Sequence, residues 1–387
     1  MVLSLIHHIL LGRMYTVNLS KSIDFLLENA SDVIKYRLHK EILKDITKTE
    51  EENMLEKVLQ TPFYKLVESY VKPNGYIGCG MHSWSNWRGT VLHQTPLQDG
   101  EAAARLFSNY AIPKDKDIVK NFVAAIRNDD VLQKEFSYIP PELQRFENRY
   151  LGLANGSGLM VLIYTMQALL GFDDEFVKTF VDISYEAFRS VLNMNSLDDI
   201  TRKRSNTSKK YNYPYIEYDQ YFPCQYHLET LAHTTSWKNE KRVAKMVKAI
   251  NHLNCIMKEN NAIHVKIGYN YYVPYWAYVR PLKVFTTQAT ADVALRKTIT
   301  NLALVGGEKI DVVRQSSDVV KKAISDDGIL RVTFANSYCK KYFKQNMEYP
   351  GPYSEVSLET EHKTNMQIWC DLTFWAVQLL HILKKSE

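Results

Sequence analysis

An all-α fold is predicted by three features of this 387-residue sequence. Glycine supplies 15 residues and proline 12, about 7 % together where average usage gives about 12 %, so few helix breakers interrupt the chain. Apolar residues recur at three- and four-residue spacing along most of its length, the period of a helix with one buried face. Strand-like pieces, such as 263–267 and 329–334, are short enough to be hairpin decorations. With 45 % hydrophobic and 24 % charged residues, the composition is that of a globular chain able to bury a core.

The elements follow in order. Residues 1–17 read as an extension: the apolar run 2–12 is interrupted by His7 and His8 and is shorter than the ~20 residues a bilayer span needs, so no membrane span is expected. A single domain is expected over 18–387. Ile23, Leu26 and Leu27 start the helical pattern, and Ser31 can cap the next segment, where Ile34, Leu38, Ile42 and Leu43 share a side. Thr49 followed by Glu50, Glu51 and Glu52 predicts another helix start, and Thr61-Pro62 a third. Short helices joined by tight turns have the habit of stacked helical hairpins.

The glycine-rich stretch 71–97, with His82, Trp84 and Trp87, reads as a long ordered loop, and loops of that length in a compact domain are often functional. Helices are then expected at 98–110, 115–127 and 141–154, and again on both sides of Gly171. The segment 201–215 has five basic residues, no acid and few aliphatics, and is expected to be a solvated surface loop. Further helices are expected near 225–235, 240–257, 291–304, 316–325 and 361–384.

The net charge of +5 forms no sustained block, so no nucleic-acid partner is expected. Five widely spaced cysteines do not resemble a disulfide framework, which points to a reducing, cytoplasmic setting.

Two stretches repeat one pattern. A helix runs into Asn74-Gly75, an apolar residue, a loop and the helix that begins near Glu101; another runs into Asp327-Gly328, Ile329, a loop and the helix from Glu361 onward. This pattern resembles the repeat of the terpenoid cyclase and protein prenyltransferase superfamily (squalene cyclase-like). The resemblance implies an α/α toroid, with inner and outer rings of helical hairpins around a central cavity. The superfamily's chemical motifs do not accompany it. No acidic pair completes the Asp-x-Asp-Asp of proton-initiated cyclases or the Asp-Asp-x-x-Asp of magnesium-dependent synthases, and no cysteine has the Asp two residues earlier that the zinc prenyltransferases use.

Three constellations remain as candidates. Eleven of the 25 tyrosines fall in two windows, 211–226 and 269–278, where phenol rings could line a half-wet cavity or pack loops. Tyr221, Tyr271, Tyr272, Tyr275 and Trp276 are the ligand-binding candidates there, together with Trp84 and Trp87 of the glycine-rich loop. Cys224 and His227 are three apart, with Asp219 nearby, but one such pair falls short of the four ligands of a structural zinc, and no metal or cofactor is assigned. His82, Asp219 and His227 are the acid–base candidates. The function expected is binding or transformation of a small or lipid-like ligand in a Tyr-rich cavity. A glycan lyase or hydrolase using Tyr/His chemistry and a non-catalytic helical scaffold are the alternatives.

Overall fold

The computed structural model describes residues 19–81, 86–87, 90–91, 97–137, 152–204, 213–257, 263–272, 282–287, 293–331, 358–359 and 364–386. These residues are mostly helical. The helices are α1 (Leu19–Asn29), α2 (Asp32–Arg37, continued by a wider π turn over Leu38–Leu43), α3 (Lys48–Leu59), α4 (Pro62–Glu68), α5 (Gly100–Asn109), α6 (Asp117–Ile126) and α7 (Asp129–Glu135). They continue as α8 (Met160–Leu169), α9 (Glu175–Ser190), α10 (Gln225–His233), α11 (Glu240–Ile256), α12 (Val293–Gly306), α13 (Asp311–Ala323) and α14 (Asn365–Ser386).

Local chemistry sets their starts. Thr47 caps α3 and Glu50 reaches back to it, so the cap sits two residues before the expected Thr49. Pro62 opens α4 at a position where its missing N–H costs nothing. Asp99, Asn128 and Asn239 cap α5, α7 and α11 through their side-chain oxygens. The helix expected at 141–154 lies largely outside the described residues; 152–156 form turns.

Strands are short. Asn86–Trp87 (β1) and Thr90–Val91 (β2) make a hairpin. Tyr215–Glu217 (β3) pairs in parallel with His264–Ile267 (β4), which pairs antiparallel with Asn270–Tyr272 (β5). The strand expected at 263–267 thus has two partners that alternation alone did not reveal. One of them lies at the edge of the basic segment, where Arg202 also bridges to Tyr215. The segment is therefore pinned to the body at both of its described ends, and Lys209 and Lys210 lie outside the described residues.

Short connections span 30–31, 44–47, 60–61, 110–116, 127–128, 170–174, 234–239 and 307–310. The described strands lie in the longer intervals before α5, α10 and α12, parts of which are outside the described residues. Helix α8 packs on α5, past α6 and α7, and on α10; α10 packs on α12 and α12 on α14, each past one intervening helix, while α9 packs on α11. Helix α1 lies along α14.

The two repeat stretches adopt the same hairpin. Val71 bridges Ile77 and Ile324 bridges Leu330. Lys72 N–H donates to Tyr76 O in one and Ser325 N–H to Ile329 O in the other. The Asn74 side chain accepts from Tyr76 N–H and Asp327 from Ile329 N–H, and the following glycines take φ of 82° and 86°. That left-handed conformation is open to glycine at little cost. Asn155-Gly156 forms a third turn of this type, with Asn155 accepting from Ser157 N–H and Gly156 at φ 76°.

The core is divided. One cluster surrounds Phe188, Trp237, Phe285 and Trp375, a second surrounds Tyr36, Phe107, Phe122 and Phe180, and a small third joins Phe25, Leu26 and Ile34 to Ile329, Phe374 and Val377.

Candidate functional site

The first turns of α5, α10 and α12 bring charged side chains into the interior. Glu101 and Arg105 are four apart on α5, a helix otherwise filled there by Ala102, Ala103 and Ala104, and both are buried. Arg105 Nε donates to Glu101 at 2.9 Å, and its two terminal nitrogens donate to Glu229 of α10 at 3.1 and 2.9 Å. The planar guanidinium fork matches a carboxylate in this two-point geometry. Tyr226, one turn before Glu229, donates its hydroxyl to Glu101 at 3.1 Å. Lys297 of α12 completes an ion pair with Glu229.

Beside this network sits Asp99. Its Oδ1 caps α5 by accepting from Ala102 N–H at 2.7 Å, while its buried Oδ2 has no hydrogen-bond partner. Complete burial, reinforced by the negative charge of Glu101, raises its pKa well above the ordinary carboxylate range and so favours its neutral form. His233, at the end of α10, is pushed down to about 4 by burial, although a hydrogen bond with Asn301 acts the other way. The positive charges of Arg105, Lys238 and Arg37 add to the depression.

The expected site residues are placed differently. His227 is fully buried at the start of α10. Its Nδ1 accepts from Cys224 N–H at 3.1 Å, so its Nε2 carries the proton and donates to Leu153 O at 2.6 Å. The Cys224 side chain accepts in turn from the His227 backbone, which makes the Cys-x-x-His spacing a reciprocal helix cap. Burial pushes the Cys224 thiol up to about 12 and the His227 ring down to about 4. Both ring nitrogens are committed to holding the chain, against the acid–base role expected of His227.

Asp219 lies on an exposed turn after β3, whereas His227 is fully buried with its ring bonded to Cys224 and Leu153. Tyr221 is 37 % exposed. Tyr271 lies on β5, edge-on to Tyr215 at 5.1 Å and stacked under Arg204 at 3.5 Å. Trp87 falls in β1 and Tyr272 in β5, whereas His82, Trp84, Tyr275 and Trp276 lie outside the described residues. Of the described tyrosines in the two windows, Tyr213, Tyr218, Tyr221 and Tyr269 are exposed and Tyr226 reaches the buried charges. Among the described residues no three His, Cys, Asp or Glu side chains group to hold a metal ion.

Asp99, Glu101, Arg105, Glu229 and Lys297 were not singled out by sequence reasoning. The signal was present: Glu101 and Arg105 sit on the alanine-rich face of a helix, and Tyr226, Glu229 and His233 repeat at three and four residues along α10. A second acidic site lies near the start of α2. Glu359 accepts from Ser31 N–H at 2.8 Å, and burial together with the neighbouring Asp371 pushes it up to about 8.

Compared with known proteins, the chain matches no family model, no curated protein and no solved structure. The terpenoid cyclase resemblance therefore rests on the repeat hairpins.

Proposed function

We propose that this chain is an α/α toroid whose ligand end is formed by the long connections, and that it acts on a polar, sugar-like small molecule by acid–base chemistry. What supports the toroid is the succession in which α5 packs on α8, α8 on α10, α10 on α12 and α12 on α14, while α9 packs on α11. What favours a polar ligand over a lipid-like one is the interior itself. A hydrocarbon placed against Glu101, Arg105, Glu229 and Lys297 would strip water from charges and offer nothing in return.

The observation that carries the chemistry is the buried, half-satisfied carboxyl of Asp99, whose pKa is raised by burial, beside Glu101 ion-paired to Arg105. A carboxyl whose neutral form is favoured next to one held in an ion pair suits general acid–base catalysis. Asp99 is the proton donor in this reading. Glu101 is held in place by Arg105 and Tyr226.

The test is a calorimetric comparison of mono- and disaccharides with long-chain isoprenoid alcohols, followed by glycan-cleavage assays. The expected result is saccharide binding, with Asp99→Asn losing about 10²–10⁴-fold in turnover while keeping its fold. Binding of the isoprenoid alcohols alone, or full activity in the Asn variant, overturns the proposal. The mutual pairing of Arg105, Glu101, Glu229 and Lys297 also favours a second reading, a scaffold whose axis is filled by side chains. That reading expects neither ligand to bind.

A further inference from the structure

Three arginines are buried among the described residues, and two of them have carboxylate partners. Arg37 pairs two-point with Glu41, and Arg105 with Glu229. Arg296, in the first turns of α12, keeps 6 % of its exposure. Its Nε is buried with no hydrogen-bond partner, and among the described residues no carboxylate pairs with it. Its guanidinium faces the ring of Trp375 on α14 at 6.0 Å, and Trp375 is backed by Phe285. The adjacent Lys297 is taken by Glu229, so the neighbouring acid is already spent on another cation.

An arginine stays charged at any pH a folded protein meets, and a buried charge left uncompensated is expensive. The fold nonetheless places one near the amino-terminal end of a 14-residue helix, where the helix dipole also favours negative charge. We propose that Arg296 is an oxyanion-binding residue, and that the ligand of this protein carries a carboxylate or phosphate group which Arg296 receives against Trp375. This rests on the polar-ligand reading above and narrows it to acidic sugars, either uronates or sugar phosphates. It adds a specificity-determining residue that the Asp99 site does not contain.

The experiment is thermal unfolding and calorimetry of the full chain at pH 7 with inorganic phosphate, D-glucuronate or D-glucose, for the wild type, Arg296→Met and Arg296→Lys. Phosphate, glucuronate or both are expected to raise the wild-type Tm by about 2 °C at ten times the Kd, with glucose giving less. Which anion acts identifies the group as phosphate or carboxylate. Without ligand, Arg296→Met is expected to melt at or above the wild-type temperature and not to respond to either anion. Arg296→Lys should bind about tenfold more weakly, because an ammonium lacks the fork.

An Arg296→Met protein that fails to fold or melts well below wild type means that the charge is already compensated within the chain, and overturns the proposal. Equal responses in wild type and Arg296→Met, or no response to either anion, also overturn it. Glucose binding as well as glucuronate removes the role of Arg296 while leaving the polar-ligand reading intact. Binding of isoprenoid alcohols alone removes that reading instead.

Discussion

Burial gives His227 and Glu359 opposite pH dependences. His227 is depressed to about 4, so the unfolded chain binds its proton first as pH falls, and the stability this ring contributes is present above about pH 6.5 and lost between there and pH 4. The loss is on the order of 3 kcal/mol at the acid end. Replacing His227 by Ala removes the cap and the Leu153 bond, and is expected to cost about 3 kcal/mol at pH 7 in denaturant unfolding. Glu359 is raised to about 8, so its contribution is present below about pH 4.5 and lost as pH rises through 8. Glu359→Gln keeps an oxygen for Ser31 N–H and should therefore raise Tm relative to wild type at pH 8–9, with the gap closing near pH 4.5. A variant that is less stable than wild type at pH 9 contradicts the assignment. Cys-x-x-His spacing exposed the proximity of Cys224 and His227. Only the fold shows that the Cys224 thiol and His227 Nδ1 cap each other's backbone while His227 Nε2 holds Leu153 O.

The repeat hairpins were legible because their chemistry is local. Asn or Asp followed by glycine and an apolar residue fixes a turn through one side-chain acceptor and one left-handed backbone position. Their close approach to other elements was not legible. A Cβ at Gly328 would stand 2.5 Å from Ser22 N and 2.6 Å from Lys21 C, both backbone atoms, whereas Gly268 (φ 60°) has nothing within 4 Å. Gly328→Ala should therefore destabilise by more than 3 kcal/mol and Gly268→Ala by about 1 kcal/mol, the cost of the backbone conformation alone. Comparable losses in equilibrium unfolding would mean that the hairpin does not touch α1. The strands show the converse limit. β3 is three residues long, and its partner β4 lies beyond two intervening helices, so no period within the strand marks it.

At the scale of the molecule, helical content was legible from glycine and proline scarcity, and most helix positions from apolar spacing. The buried charges were not. Glu101 and Arg105 are an ordinary i, i+4 pair in sequence, and Arg105 meets Glu229 across 124 positions, a relation no local pattern encodes. The tyrosine windows misled for a similar reason: clustering in sequence put most of the described rings on a small sheet and its turns, while the one at the buried charges, Tyr226, arrives on a separate helix. Among the described residues no helix is long and apolar enough to cross a membrane.

The small core that ties Phe25, Leu26 and Ile34 to Phe374 and Val377 has a consequence for synthesis. A ribosome releases α1 and α2 hundreds of residues before α14, the helix that covers them. Their apolar faces must wait uncovered while the intervening helices assemble, a long interval at ~5–20 residues per second. Completion of this core is then a late folding event, and the first helices are the region most in need of a chaperone's protection until residues near 374 emerge.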